Sequence, residues 1–265
     1  MSPEPPAPAI VVTGASSGIG REFARVAADE GSFMVLVGRS QAPLEELATE
    51  LSARGVRAAS LQVDLAQPDA GERIEAALAE RGLYCDILVN SAGFGLYGAA
   101  IDLDRAEQLA ILDVNARALT DLMLRFLPGM VARRRGGVIN VGSLSGYLPG
   151  PKMALYYASK AYVRSLSDAI HAELLGTGVT VTAVNPGPVR TDFFRRANAY
   201  ETLLAKLVSR LDAPDVARAG WRAFKAGRRE VMPGVLNRVM AVSTMIAPRA
   251  VVLWLSGLLL RRRGG

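Results

Sequence analysis

Apolar, β-branched runs alternate with helical patterns along most of the chain. The runs Ile10–Val12, Phe33–Val37, Ala58–Val63, Ile87–Val89, Val138–Val141 and Val179–Val184 read as buried strands. Helical periodicity falls between them, near residues 18–30, 42–54, 69–81, 104–135 and 155–175. This rhythm predicts an α/β fold, a doubly wound parallel sheet of Rossmann-like form with right-handed crossovers. In such sheets ligands bind at the carboxyl ends of the strands. No internal repeat is present. The expected organisation is a disordered, proline-rich N-terminus at 1–8 and a single domain over 9–234, with a helical lid at about 191–211. A helical C-terminal extension, apolar and basic, follows at 235–265.

A chain of 265 residues can bury the core of one large α/β domain, and a hydrophobic content of 50% suits a sheet covered on both faces. The single cysteine, Cys85, excludes an internal disulfide and sits in an apolar run, where packing is its expected role. Ser2–Pro8 is too proline-rich for a signal peptide, and a cytoplasmic location is the default. No metal site is expected. The formal charge of +6 favours anionic surfaces, but no nucleic-acid motif accompanies it.

Tyr156 and Lys160 stand four residues apart inside a helical pattern, on one face and about one turn from each other. An ammonium held beside a phenol favours phenolate and lowers the phenol's pKa, which makes the hydroxyl usable for proton transfer. Lysine is scarce here: only Lys152, Lys160, Lys206 and Lys225 occur. Tyr157 points about 100° away, so packing on the helix's other side is its expected role.

A second informative stretch follows the first strand: Thr13-Gly14-Ala15-Ser16-Ser17-Gly18-Ile19-Gly20, then a helical pattern from Arg21. Strand, glycine-rich turn and helix N-terminus in that order form a phosphate site, because the backbone can approach closely and free amides point outward. The spacing, Gly-x-x-x-Gly-x-Gly, is not Gly-x-Gly-x-x-Gly, and by itself it reads equally as an ordinary turn.

Together these stretches resemble the short-chain dehydrogenase/reductase family over about residues 8–192. Further pieces arrive in the family's order: Asp64-Leu65, Asn90-Ser91-Ala92-Gly93, Asn115, and Pro186-Gly187-Pro188-Val189-Arg190-Thr191. The resemblance implies a dinucleotide cofactor on Gly14, Ser16, Ser17, Gly18, Ile19 and Gly20, and hydride transfer between nicotinamide and a carbonyl or alcohol carbon. It implies that Ser143, thirteen residues before Tyr156, polarises the carbonyl while Tyr156 exchanges the proton. Ser145 is then a loop residue near the substrate. Lys160 would bind the nicotinamide ribose, and Asn115 would hold a water leading to Lys160. Asp64 would meet the adenine amino group with Leu65 beside the ring. Asn90, Ala92 and Gly93 would pass close to a cofactor sugar, Thr191 would bond the carboxamide, and Pro186, Gly187 and Val189 would shape the wall. The resemblance also implies a homodimer or homotetramer through the helices near 104–135 and 155–175.

The second strand ends Val37-Gly38-Arg39-Ser40, with no carboxylate to meet a ribose 2′-hydroxyl. A 2′-phosphate would instead find a two-pronged guanidinium and the Ser40 hydroxyl, so the expected cofactor is NADP. The competing reading makes Arg39 one more surface arginine. Phe94–Tyr97, Leu144–Pro149 and the segment after Thr191 are the expected substrate walls. Phe193 and Phe194 point to an apolar acyl, aromatic or steroid-like substrate; Arg195 and Arg196 read as solvated. His171 reads as a packing or surface residue. The tail's last apolar run, Ala250–Leu260, is 11 residues, too short to span a bilayer. Three roles stay open for it: peripheral membrane contact through 235–263, cover for an apolar groove, or packing on another subunit. The alternative to an oxidoreductase is a non-catalytic NADP-binding regulator or scaffold tethered by this tail. A sugar-nucleotide epimerase fits less well, because the chain is short for that related family and the glycine spacing differs.

Overall fold

Ile10, Val11 and Val12 leave no polar face, so the first strand must be covered from both sides. The computed structural model, which describes residues 5–203 and 211–261, places it at the centre of a parallel sheet. The strands are β1 (Ala7–Thr13), β2 (Phe33–Gly38), β3 (Ala58–Gln62), β4 (Leu83–Asn90), β5 (Gly137–Val141), β6 (Thr180–Val184) and β7 (Glu230–Val231), in the spatial order 3-2-1-4-5-6-7. The helices are α1 (Gly18–Ala27), α2 (Gln41–Ala53), α3 (Ala70–Ala79), α4 (Arg105–Leu112), α5 (Leu119–Arg133), α6 (Ala154–Glu173), α7 (Phe193–Arg196), α8 (Ala213–Lys225), α9 (Val235–Ile246) and α10 (Arg249–Leu259).

Strand alternation sorts the core into two layers. Val11, Val35 and Val37 pack with Ile74 of α3, Leu122 of α5 and Val163 of α6. Val12, Met34 and Leu36 pack on the other face with Phe23 of α1, Leu47 of α2 and Trp221 of α8. This is the Rossmann-like doubly wound sheet, with the two C-terminal helices appended. Strand order reverses between β1 and β4, so a crevice opens at their carboxyl ends, the switch point where ligands bind.

Three local features depart from the sequence reading. Ala7 and Pro8 pair with Leu83 and Tyr84, so the sheet begins inside the segment expected to be disordered; residues 1–4 lie outside the described residues. The long helix expected at 104–135 is two helices joined by a π-helical stretch, Asp113–Ala118, which holds Asn115. Such an extra residue per turn is common where a helix must re-aim a side chain. Of the lid expected at about 191–211, the described residues show a helical turn at Phe193–Arg196; residues 204–210 lie outside the described residues. The C-terminal extension is helical as expected, in two pieces because Pro248 keeps Ala247 extended, at ψ 145°. β7, only two residues long, carried no sequence signal.

Candidate active site

The glycine-rich turn is pressed against the turn that follows β4. Gly14 has φ +67°, and a Cβ there would sit 2.8 Å from the Ala92 Cα. Thr13 locks the two turns together: its Oγ1 accepts from the amides of Ser91 (3.1 Å) and Ala92 (3.2 Å) and donates to the Val89 carbonyl (3.3 Å). Ser17 begins α1 in an extended conformation and its side chain does not cap the helix. The first amides of α1 therefore stay available at the positive end of the helix dipole. This cradle fits a diphosphate: uncapped amides, and a facing wall too close for a side chain at Gly14.

Ser143, Tyr156 and Lys160 converge beside it. All three are buried and line one cavity of about 540 Å³, within the range of small-molecule sites. The Ser143 hydroxyl hydrogen-bonds the Tyr156 side chain. Its oxygen accepts from the Ser145 amide at 3.0 Å, and the Asn185 side chain holds the Ser143 amide at 3.2 Å. Gly142 and Leu144 are pinned by the Val184 and Pro186 carbonyls, so this loop is rigid. Lys160 Nζ donates to the Val141 carbonyl at 2.8 Å and lies 5.9 Å from the centroid of the Tyr156 ring.

The electrostatics differ from the expectation. Burial pushes the Tyr156 phenol up, with the Ser143 bond holding it back in part; Lys160 does not lower it in this arrangement. Burial pushes the Lys160 amine down to about 8, with no carboxylate among the causes. The pair is a protonated, desolvated phenol beside an amine that titrates near 8; strongly shifted groups of this kind cluster at functional sites.

Residues on both sides of this centre close the cavity. Gly14, Ser16, Ser17, Gly18, Ile19 and Gly20 form one end, with Arg39 and Ser40 beside them and Asp64 and Leu65 opposite. The Arg39 side chain makes no hydrogen bond or ion pair among the described residues; only its carbonyl is used, by Gln62. Ala92, Gly93, Pro186, Gly187, Val189 and Thr191 line the middle. Phe193 packs against the Tyr156 ring at a tilt of 45°, centroids 4.9 Å apart, and Phe194 completes the apolar end. The roof comes from the tail: Met240 and Thr244 of α9, Ser256 and Leu259 of α10. Gly187 admits α9, since a Cβ there would meet Asn237 Oδ1 of that helix at 2.3 Å. Tyr97 donates to the Leu260 carbonyl at 2.6 Å and ties down the end of α10.

Two residues from the sequence reading do not reach the cavity wall. The Asn115 amide donates to the Phe94 carbonyl (2.9 Å) and to Ser159 Oγ (3.0 Å), and its oxygen accepts from the Phe94 amide (3.0 Å). Both donors are committed, so Asn115 holds the 93–94 backbone against α6 rather than touching the reacting atoms. Asn90 donates to Asn140 Oδ1 at 3.0 Å inside the sheet layer, away from the crevice. Two others do more than expected. Tyr157 hydrogen-bonds Ser145 and lines the cavity with Tyr156, its ring edge-on at 6.0 Å, and burial pushes its phenol up to about 12. Arg196 crosses the crevice to donate to Ser17 Oγ at 3.3 Å, which puts a guanidinium over the glycine-rich turn. Neither was legible locally, because loop closure sets both contacts. His171 bonds the Val181 carbonyl at 2.8 Å on the far side of α6, and Cys85 is buried; both are packing residues.

Comparison with known proteins agrees with this geometry. A family model described as short chain dehydrogenase matches residues 8–202. A sulfoacetaldehyde reductase of Chromohalobacter salexigens is 37% identical over 186 residues, covering 69% of this chain and 73% of the relative. The very-long-chain 3-oxoacyl-CoA reductase of Bos taurus is 35% identical over 187 residues, 68% of this chain and 59% of its own. Among solved structures, a short-chain dehydrogenase from Sphingobium yanoikuyae in complex with NADPH superposes with a TM-score of 0.80 at 30% identity, covering 90% of this chain and 93% of that one.

Proposed function

The chain belongs to the short-chain dehydrogenase/reductase family, and from that membership we propose that it is an NADP-dependent oxidoreductase that interconverts an apolar ketone or aldehyde and its alcohol. The observation that carries the reading is the convergence of Ser143, Tyr156 and Lys160 on one cavity with the phosphate cradle. The nicotinamide supplies the hydride when bound. Ser143 accepts the Ser145 amide, and its hydroxyl, hydrogen-bonded to Tyr156 here, would turn to a substrate carbonyl oxygen seated between the two side chains and polarise it. Tyr156 gives that oxygen a proton in reduction and takes it back in oxidation. Lys160, anchored on the Val141 carbonyl, has two further donors for ribose hydroxyls and carries charge below about pH 8. Asn115 acts as a positioning residue for the loop between them.

Arg39 supports the choice of NADP. Among the described residues its guanidinium makes no hydrogen bond or ion pair at the end of β2, where a 2′-phosphate would lie, and the strand end Val37-Gly38-Arg39-Ser40 offers no carboxylate. Ser40, Ser16 and Ser17 stand near enough to add hydroxyls. Asp64 and Leu65 form the adenine end, and Thr191 with Val189 the carboxamide end. Phe193, Phe194 and Met240 make the substrate end apolar and favour a bulky or long-chain carbonyl compound. A homo-oligomer and a cytoplasmic setting belong to the same reading. No observation favours the scaffold alternative.

The test is a screen of ketones, aldehydes and alcohols followed by NADPH absorbance, with NADH in parallel. The reading requires turnover of apolar carbonyl compounds with NADPH preferred; equal rates and equal stabilisation with NADH would reject the cofactor assignment.

A further inference from the structure

The tail helices have two unlike faces. On α9 the inward residues recur as Asn237, Ala241 and Thr244, spaced by a helical turn, and they meet the cavity and the 186–187 loop. The outward residues of α9 are Val235, Val239, Val242 and Ile246, with Ile246 80% exposed. On α10 the inward set is Val252, Ser256 and Leu259, and the outward set is Val251, Trp254, Leu255 and Leu258, with Trp254 67% exposed. Both outward sets follow the 3.6-residue period of one helix face. Exposed apolar helix faces of this kind mark an interaction site.

Charge identifies the occupant. Residues 232–265 contain Arg238, Arg249, Arg261, Arg262 and Arg263 and no aspartate or glutamate, so this segment carries five of the chain's six net positive charges. Arg238, Arg249 and Arg261 are exposed and make no ion pair among the described residues. A second copy on this face would be related by a two-fold axis and would bring the same unneutralised arginines together. An anionic bilayer supplies negative charge and an apolar interior at once. Among the described residues no helix is long and apolar enough to cross a membrane, so the pair would lie in the surface.

We propose that the outer face of α9 and α10 docks on an anionic lipid bilayer and that the two helices form a roof through which an apolar substrate passes from the lipid into the active-site cavity. The second half rests on the apolar-substrate reading above; the docking does not. Only one helix thickness, roughly 10 Å, separates the outer face from the cavity. A lipid-dissolved ketone thus reaches Tyr156 without crossing water.

The experiment uses the full chain with phosphatidylcholine vesicles, either pure or containing about a third phosphatidylserine. The expected result is co-sedimentation with the anionic vesicles, weakened but not abolished by high salt, with a blue shift of Trp254 emission. Trp254→Glu and Val239→Glu should each cut binding at least tenfold, with melting temperature and turnover of a water-soluble ketone unchanged. Adding anionic vesicles should raise the rate on a bilayer-partitioned long-chain ketone for the wild type and not for Trp254→Glu. Wild-type protein left in the supernatant, with no emission shift, would overturn the docking. A dimer that Trp254→Glu splits into monomers would likewise overturn it and give the face to a second copy. Vesicle binding with no vesicle effect on any long-chain ketone would overturn the substrate route and leave the docking standing.

Discussion

The two ends of the cavity are made from different material. The cofactor end is built of strand termini, short turns and backbone amides, each fixed by hydrogen bonds such as Thr13 to Ser91 and Ala92. The roof is built of side chains on α9 and α10, held by apolar contact and a few ties such as Tyr97 to Leu260. Hydrogen-bonded turns tolerate little displacement, whereas helices resting on apolar contacts can shift by repacking. The difference sets hydrogen-bonded turns around Ser143, Tyr156 and Lys160 and repackable helices over the apolar end.

The sharpest way to break this division is at the centre. Tyr156→Phe removes the proton donor and should lower turnover by about 10²–10⁴-fold while NADPH affinity survives; unchanged turnover in the absorbance assay would reject the assigned acid. Next in size is the cofactor preference. Arg39→Asp should shift the NADPH/NADH ratio of kcat/KM by about 10–100-fold toward NADH, through loss of a charge-assisted contact and new repulsion. A ratio unmoved by that change would return Arg39 to the role of a surface arginine.

Asn115→Ala should destabilise the protein by about 1–3 kcal/mol, because the Phe94 amide and carbonyl lose their partner. Thermal melting reads that loss. A positioning role also predicts a fall in kcat larger than any rise in KM, with Asn115→Asp restoring only the acceptor half.

The pH dependence follows from Lys160. Its folded pKa, about 8, lies below the ordinary lysine value because burial disfavours the cation. Between about pH 8 and the ordinary lysine value near 10.4 the unfolded chain binds more protons, so this group's contribution to stability rises with pH across that window. Below pH 8 the folded protein carries a buried cation at a cost. Lys160→Met should therefore flatten the melting-temperature profile between pH 8 and 10 and raise it below. Reductive turnover should decline as pH rises through about 8, where the cation is lost. The smallest effect belongs to the roof. Met240→Ala should raise KM for bulky ketones a few-fold and leave small ones unchanged; equal effects on both would place Met240 outside substrate selection.

The strands, the phosphate turn and the Tyr156–Lys160 pair were legible in the sequence because each is local. Side-chain alternation sets strand faces within a few residues, and helical pitch brings positions four apart onto one side. The resemblance supplied Ser143 and the order of the remaining motifs. What the sequence determined was therefore the fold class and the chemistry at the strand ends. The tertiary structure decided what depends on distant segments meeting. It turned Asn115 onto Phe94 through a π-helical stretch and carried Arg196 to Ser17. It also folded the tail back over the cavity, with Met240, Thr244, Ser256 and Leu259 on its wall. Those contacts join residues up to 179 positions apart for Arg196 and 163 for Tyr97 and Leu260. No local periodicity encodes such contacts, because their geometry exists only once the core has packed.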